Sequence, residues 1–66
     1  MPVVRVSIYE GRSVEQKRKI AEAITDALVT IGGSTREAVN VMFDNFEREN
    51  WVIGGASEYQ KTDSTR

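Results

Sequence analysis

Residues 13–33 read SVEQKRKIAEAITDALVTIGG, and this stretch decides the fold. Ser13 with Gln16 is a capping box: the hydroxyl accepts a first-turn backbone N–H, and the amide oxygen reaches back to the Ser13 N–H. From Val14 onward the apolar residues Ile20, Ile24, Leu28 and Ile31 recur at helical spacing, with Ala21, Ala23 and Ala27 between them. Glu15, Lys17, Arg18, Lys19, Glu22 and Asp26 fall on the remaining, solvated face. Gly32-Gly33 supplies the stop, where a left-handed residue is needed. Such a helix of about 18 residues spans about 27 Å.

The segments on either side have the other period. In VVRVSIY, residues 3–9, Val4, Val6 and Ile8 face one way, and Val3, Arg5, Ser7 and Tyr9 the other. That alternation, rich in β-branched residues, predicts a strand ended by Gly11. AVNVMFDNF, residues 38–46, alternates again, with Val39, Val41 and Phe43 opposed to Ala38, Asn40, Met42 and Asp44. Residues 34–37, STRE, read as a short capped turn before it. A strand, a long helix and a strand make a crossover unit, so the two strands should be parallel and the connection right-handed. A strand of seven residues spans about 23 Å, so the helix can run back along its whole length. VIGGAS, residues 52–57, places two glycines between short strand pieces and predicts a hairpin. The fold class expected is therefore α/β (α+β): a β-α-β protomer with two parallel strands, one long helix and a short C-terminal hairpin. The whole chain, 1–66, reads as one domain, with residues 57–66 a polar tail or an arm laid on a neighbouring subunit.

Composition bounds the chemistry. Apolar residues make up 39% of the 66, enough for a folded domain. A lone domain below roughly 70–80 residues draws only about 3–5 kcal/mol from its core and usually needs a staple. The chain has no cysteine and no histidine, which removes disulfides and an ordinary zinc site and leaves oligomerisation. One helix over two strands also leaves a sheet face uncovered. The same absences exclude Cys–His pairs and Ser–His–Asp triads, so a catalytic base must be a carboxylate, a lysine, a tyrosine or a terminal amine. A net charge of −1 offers no footprint for nucleic acid, and no apolar run reaches membrane-spanning length. Without a signal-peptide pattern the expected compartment is the cytoplasm.

The one proline, Pro2, follows the initiator methionine at the mouth of the first strand. An edge-strand start is the plain reading. The chemical reading is that removal of Met1 frees a secondary amine, whereas with Met1 attached the nitrogen is an amide and accepts no proton. A free α-amine has a reference pKa of about 7.7–8.0, the lowest of the ordinary protein amines. Apolar surroundings and a nearby cation lower it further towards working pH. Val3, Met42 and Trp51 are candidates for the apolar wall, and Arg12 for the cation.

Met-Pro, an alternating strand, EGRS followed by EQK, one long helix, a second strand and an aromatic placed as W-x-IGG together resemble the 4-oxalocrotonate tautomerase family. The likeness covers residues 2 to about 55. It implies small β-α-β protomers that pair into four-stranded sheets and assemble as hexamers, trimers of dimers. It further implies an isomerase without cofactor, moving a proton between oxygen and carbon of a small unsaturated keto acid of the 2-hydroxymuconate type. By the resemblance Pro2 is the general base and acid, Arg12 holds a substrate carboxylate, and Trp51 occupies an apolar wall position. The family pattern has an arginine on the second strand for the carbonyl and carboxylate end of the substrate; this chain has Asn40 there.

Asparagine donates hydrogen bonds but brings no charge, which points to slow turnover of a dicarboxylate or to a less anionic substrate. Arg5 and Arg36 of a neighbouring chain are the candidates to compensate. Two further readings stay open: hydration or dehalogenation of a haloacrylate-like acid, with Asp44, Glu47 or Glu49 activating water, and a non-catalytic assembly module if Met1 is retained.

Overall fold

The structure is a computed structural model that describes residues 2–57. Its elements follow in order: β1 (Val3–Tyr9), α1 (Val14–Thr30), β2 (Asn40–Phe46), β3 (Val52–Ile53) and β4 (Ala56–Ser57), with single 3₁₀ turns at Arg36–Ala38 and Arg48–Asn50. β1 and β2 pair in parallel, from Val3 opposite Asn40 to Tyr9 opposite Phe46, and β3 and β4 form an antiparallel hairpin. The expected β-α-β unit and C-terminal hairpin are both present.

Helix α1 begins as its sequence demands. The Ser13 hydroxyl accepts the Gln16 N–H at 3.1 Å, and Gln16 Oε1 accepts the Ser13 N–H at 2.9 Å. Two of the orphan donors of the first turn are thus satisfied reciprocally. At the other end Gly33 turns into the left-handed region with φ 75°, so that the Ser34 N–H can donate to the Leu28 carbonyl. Gly32 is needed for a different reason: a Cβ there would lie 2.7 Å from the Leu28 carbonyl oxygen.

The half-buried helix positions are Lys17, Ile20, Ala21, Ile24, Thr25, Leu28 and Val29, which repeat at three and four residues as one stripe against the sheet. Several positions depart from the expected faces: Val14 is 81% exposed, and Ala23 and Ala27 are exposed too. Lys17 is half-buried on this stripe, although its charge puts it with the solvated face. Ile31 is 87% exposed, because it is the helix C-cap and the chain turns away there, leaving nothing of its own chain over it. Thr25 keeps its hydroxyl satisfied on the Ala21 carbonyl at 2.8 Å.

The sheet alternates as its sequence does. Val4, Val6, Ile8, Val41 and Phe43 are half-buried under α1, while Val3, Arg5, Ser7, Asn40 and Met42 point to the open face. β2 starts at Asn40, two residues after the alternation in sequence begins, because Arg36–Ala38 close a 3₁₀ turn first. Among the described residues no side chain is fully buried. The polar tail predicted for residues 57–66 keeps only Ser57 inside the described residues, as the last residue of β4. Among the described residues no helix is long and apolar enough to cross a membrane.

Candidate functional site

The four candidate residues fall into two pairs at opposite ends of the parallel sheet. Pro2 and Asn40 share the end where both strands begin. The Asn40 N–H donates to the Pro2 carbonyl at 3.0 Å, extending the ladder by one bond beyond Val3. Pro2 has no N–H to give, so its nitrogen stands outside the sheet hydrogen bonding. It is half-buried, between Val4 on its own face and the open end of the sheet. The Asn40 carboxamide is exposed and donates to the Ala38 carbonyl at 3.2 Å.

Arg12 and Trp51 share the far end, where β1 and β2 finish. Arg12 Nη1 makes a long contact of 3.4 Å to the Tyr9 carbonyl, and among the described residues the guanidinium has no carboxylate partner. Trp51 is half-buried and packs edge-on against Tyr9, with centroids 4.8 Å apart, and against Phe46 at 5.5 Å. Each such pair contributes about 0.5–1.5 kcal/mol beyond its area. The Arg48 guanidinium lies 5.1 Å from the Tyr9 ring centroid, a cation–π contact. Tyr9 is thus the joint of this end, touching one arginine through its carbonyl and the other through its ring.

Phe46 was not singled out from the sequence, although the alternation 40, 42, 44 extended by one step reaches it. Arg48 carried no signal at all: only the 3₁₀ turn at Arg48–Asn50 swings it back over Tyr9.

Between the two ends lie the seven residues of β1, about 23 Å of extended chain. One protomer therefore does not bring Arg12 or Trp51 to Pro2. Val3 and Met42, the other two apolar candidates, do sit near the Pro2 end, 56% and 47% exposed on the open face. The described residues of a single chain enclose no cavity.

The arginines considered as replacements for a missing charge at Asn40 are both engaged. Arg5 grips Asp44 with two hydrogen bonds, Nε to Oδ2 at 3.2 Å and Nη2 to Oδ1 at 3.0 Å. That hydrogen bond, and the carboxylate charge behind it, raise the Arg5 pKa. Arg36 donates to Asp26 Oδ1 at 2.5 Å, tying the 3₁₀ turn to the helix. Asp44, one of the carboxylates considered for activating water, is the one held by Arg5.

A model of the tautomerase enzyme family matches residues 2–59. The 2-hydroxymuconate tautomerase of Comamonas testosteroni is 40% identical over 57 residues, 86% of this chain and 90% of that protein. Among solved structures, TomN, a 4-oxalocrotonate tautomerase homologue in the tomaymycin biosynthetic pathway, superposes with a TM-score of 0.93 at 34% identity, covering 98% of this chain and all of TomN. A subunit of the heterohexameric 4-oxalocrotonate tautomerase of Chloroflexus aurantiacus J-10-fl gives 0.85 at 28% identity, covering 91% of this chain and 97% of that one. With its β-α-β unit, its hairpin and nearly its whole described length matched, the chain belongs to the tautomerase family.

Proposed function

We propose that the chain, once Met1 is removed, is a tautomerase in which the Pro2 nitrogen moves a proton between oxygen and carbon of a small unsaturated 2-hydroxy or 2-keto acid. The observation that carries this reading is the position of Pro2. Its ring opens β1, its carbonyl is fixed by the Asn40 amide, and its nitrogen is left out of the sheet. A secondary amine so held is rigid in direction and basic near neutral pH.

The step balances without a cofactor. The nitrogen takes the enol proton, the oxygen becomes a carbonyl and the double bond shifts along the chain. The resulting ammonium then returns the proton to carbon. Arg12 binds the substrate carboxylate bidentately, which suits a planar guanidinium. Trp51 walls the apolar part of the substrate.

Because Arg12 and Pro2 stand at opposite ends of one sheet, the working site takes Pro2 from one copy and the Arg12–Trp51 end from another. The absence of any fully buried side chain among the described residues agrees with a protomer that completes its core by association. A homo-oligomer follows, six copies as a trimer of dimers being the arrangement proposed. The test joins two measurements. Intact mass should show a chain lighter by one methionine, and Pro2→Ala should abolish ketonisation of a 2-hydroxydienoate. A retained methionine in a fully active protein, or an active Pro2→Ala variant, rejects the reading.

A further inference from the structure

We infer that the substrate carries a single carboxylate, with Asn40 as the residue that sets this preference; the inference rests on the proline-base reading above and narrows it. The described residues hold seven side-chain cations. Five of them, Arg12, Lys17, Arg18, Lys19 and Arg48, belong to the end of the sheet where β1 and β2 finish and α1 begins. Only Arg5 and Arg36 lie towards the Pro2 end. Each of these two is already paired, Arg5 with Asp44 through two hydrogen bonds and Arg36 with Asp26.

Recruiting either arginine to a second substrate carboxylate would leave Asp44 or Asp26 unpaired beside the incoming anion, so no net attraction results. Glu37, which has no ion pair among the described residues, makes this end net negative. What the Pro2 end does offer is the Asn40 carboxamide. It spends one N–H on the Ala38 carbonyl and keeps the other N–H and its oxygen for a ligand, as its exposure allows. That group suits a neutral oxygen. A carboxylate placed there gains only a neutral-donor hydrogen bond, against a desolvation cost set by its full charge. One anionic group, held by Arg12, and a neutral remainder at Asn40 is the ligand the charge layout fits.

The test uses two six-carbon 2-oxo acids that differ by one carboxylate, 2-oxohexanoate and 2-oxohexanedioate, with dissociation constants measured by calorimetry on the assembled protein. The expected result is that the monoacid binds at least as tightly as the diacid. Asn40→Arg should shift the ratio towards the diacid by about tenfold, the step between neutral and charged hydrogen bonding. Asp44→Asn, which frees Arg5, should move it the same way by less. A wild-type protein that prefers the diacid, or a ratio that neither folded variant moves, overturns the inference. Binding also separates the two failures: Pro2→Ala should keep the ratio while turnover is lost, and if turnover survives it is the proline-base reading that falls.

Discussion

The two ends of the β1–β2 sheet are built from the same two strands and could hardly differ more. At the start, the backbone is the structure: Pro2 and Asn40 are joined main chain to main chain, and Arg5 and Arg36 are each held by an aspartate. At the finish, side chains are the structure: Tyr9, Phe46 and Trp51 interlock edge to face, with Arg48 over the Tyr9 ring and Arg12 below its carbonyl. A parallel pair linked by a helix must keep these ends apart, since both strands start at one end and finish at the other. Under the proposed reading the base, Pro2, and the carboxylate clamp, Arg12, of one site therefore come from two different chains, and a single protomer contributes half of each of two sites.

The sharpest way to break that picture is complementation. Pro2→Ala and Arg12→Ala should each lose about a hundredfold or more in kcat/KM, from lost base chemistry in the first and lost charge-assisted binding in the second. Co-refolded as a mixture they should recover a measurable part of wild-type activity, because some sites then combine an intact Pro2 with an intact Arg12. No recovery would place both residues in one chain's site and end the comparison.

Trp51→Ala attacks the far end alone. Truncating a buried aromatic costs about 3–5 kcal/mol, and a half-buried one should cost roughly half of that, measured by denaturant unfolding at fixed protein concentration. It should raise KM more than it lowers kcat, since in the proposed site Trp51 walls the substrate and transfers no proton. Ser13→Ala removes the helix cap and should cost about 1 kcal/mol, with turnover unchanged. The smallest effect belongs to Arg5→Gln. A raised arginine pKa means stabilisation that is fully present below the ordinary guanidinium value and is lost only as pH rises through the still higher folded value. The pair is also exposed to solvent and screened. Thermal unfolding of Arg5→Gln should follow that of the parent, with no new pH dependence around neutrality.

Much of the fold could be read without coordinates because its signals are local. The Ser13–Gln16 box, the helical spacing through Leu28, the period of two in residues 3–9 and the double glycine of the hairpin each act within a few residues of chain. Gly54 and Gly55 both take positive φ, 62° and 86°, the pair of conformations a two-residue hairpin turn demands and other residues resist. The misreadings sit where local period and tertiary environment part. Ile31 continues the helical pattern but lies past the last turn, and Lys17 belongs to the charged face by type but to the sheet-facing stripe by angle. Residues 38 and 39 alternate like a strand, yet the 3₁₀ turn ending at Ala38 delays pairing until Asn40.

The candidate site divides in the same way. Pro2, Arg12, Asn40 and Trp51 become candidates through residue type and family resemblance, because the chemistry of a secondary amine, a guanidinium, a carboxamide and an indole belongs to the group itself. Where each of them stands was not legible. Sequence alone determined that any base near neutral pH must come from something other than histidine or cysteine, and that one helix over two strands would leave a sheet face open. Only the tertiary structure decided that Asp44 claims Arg5, that Asp26 claims Arg36, and that Tyr9 gathers Trp51, Phe46 and Arg48 around itself. Those partners are 10 to 42 positions apart in sequence. Pairings over such separations are set by strand register and by the return of the chain after the helix, which no local pattern encodes.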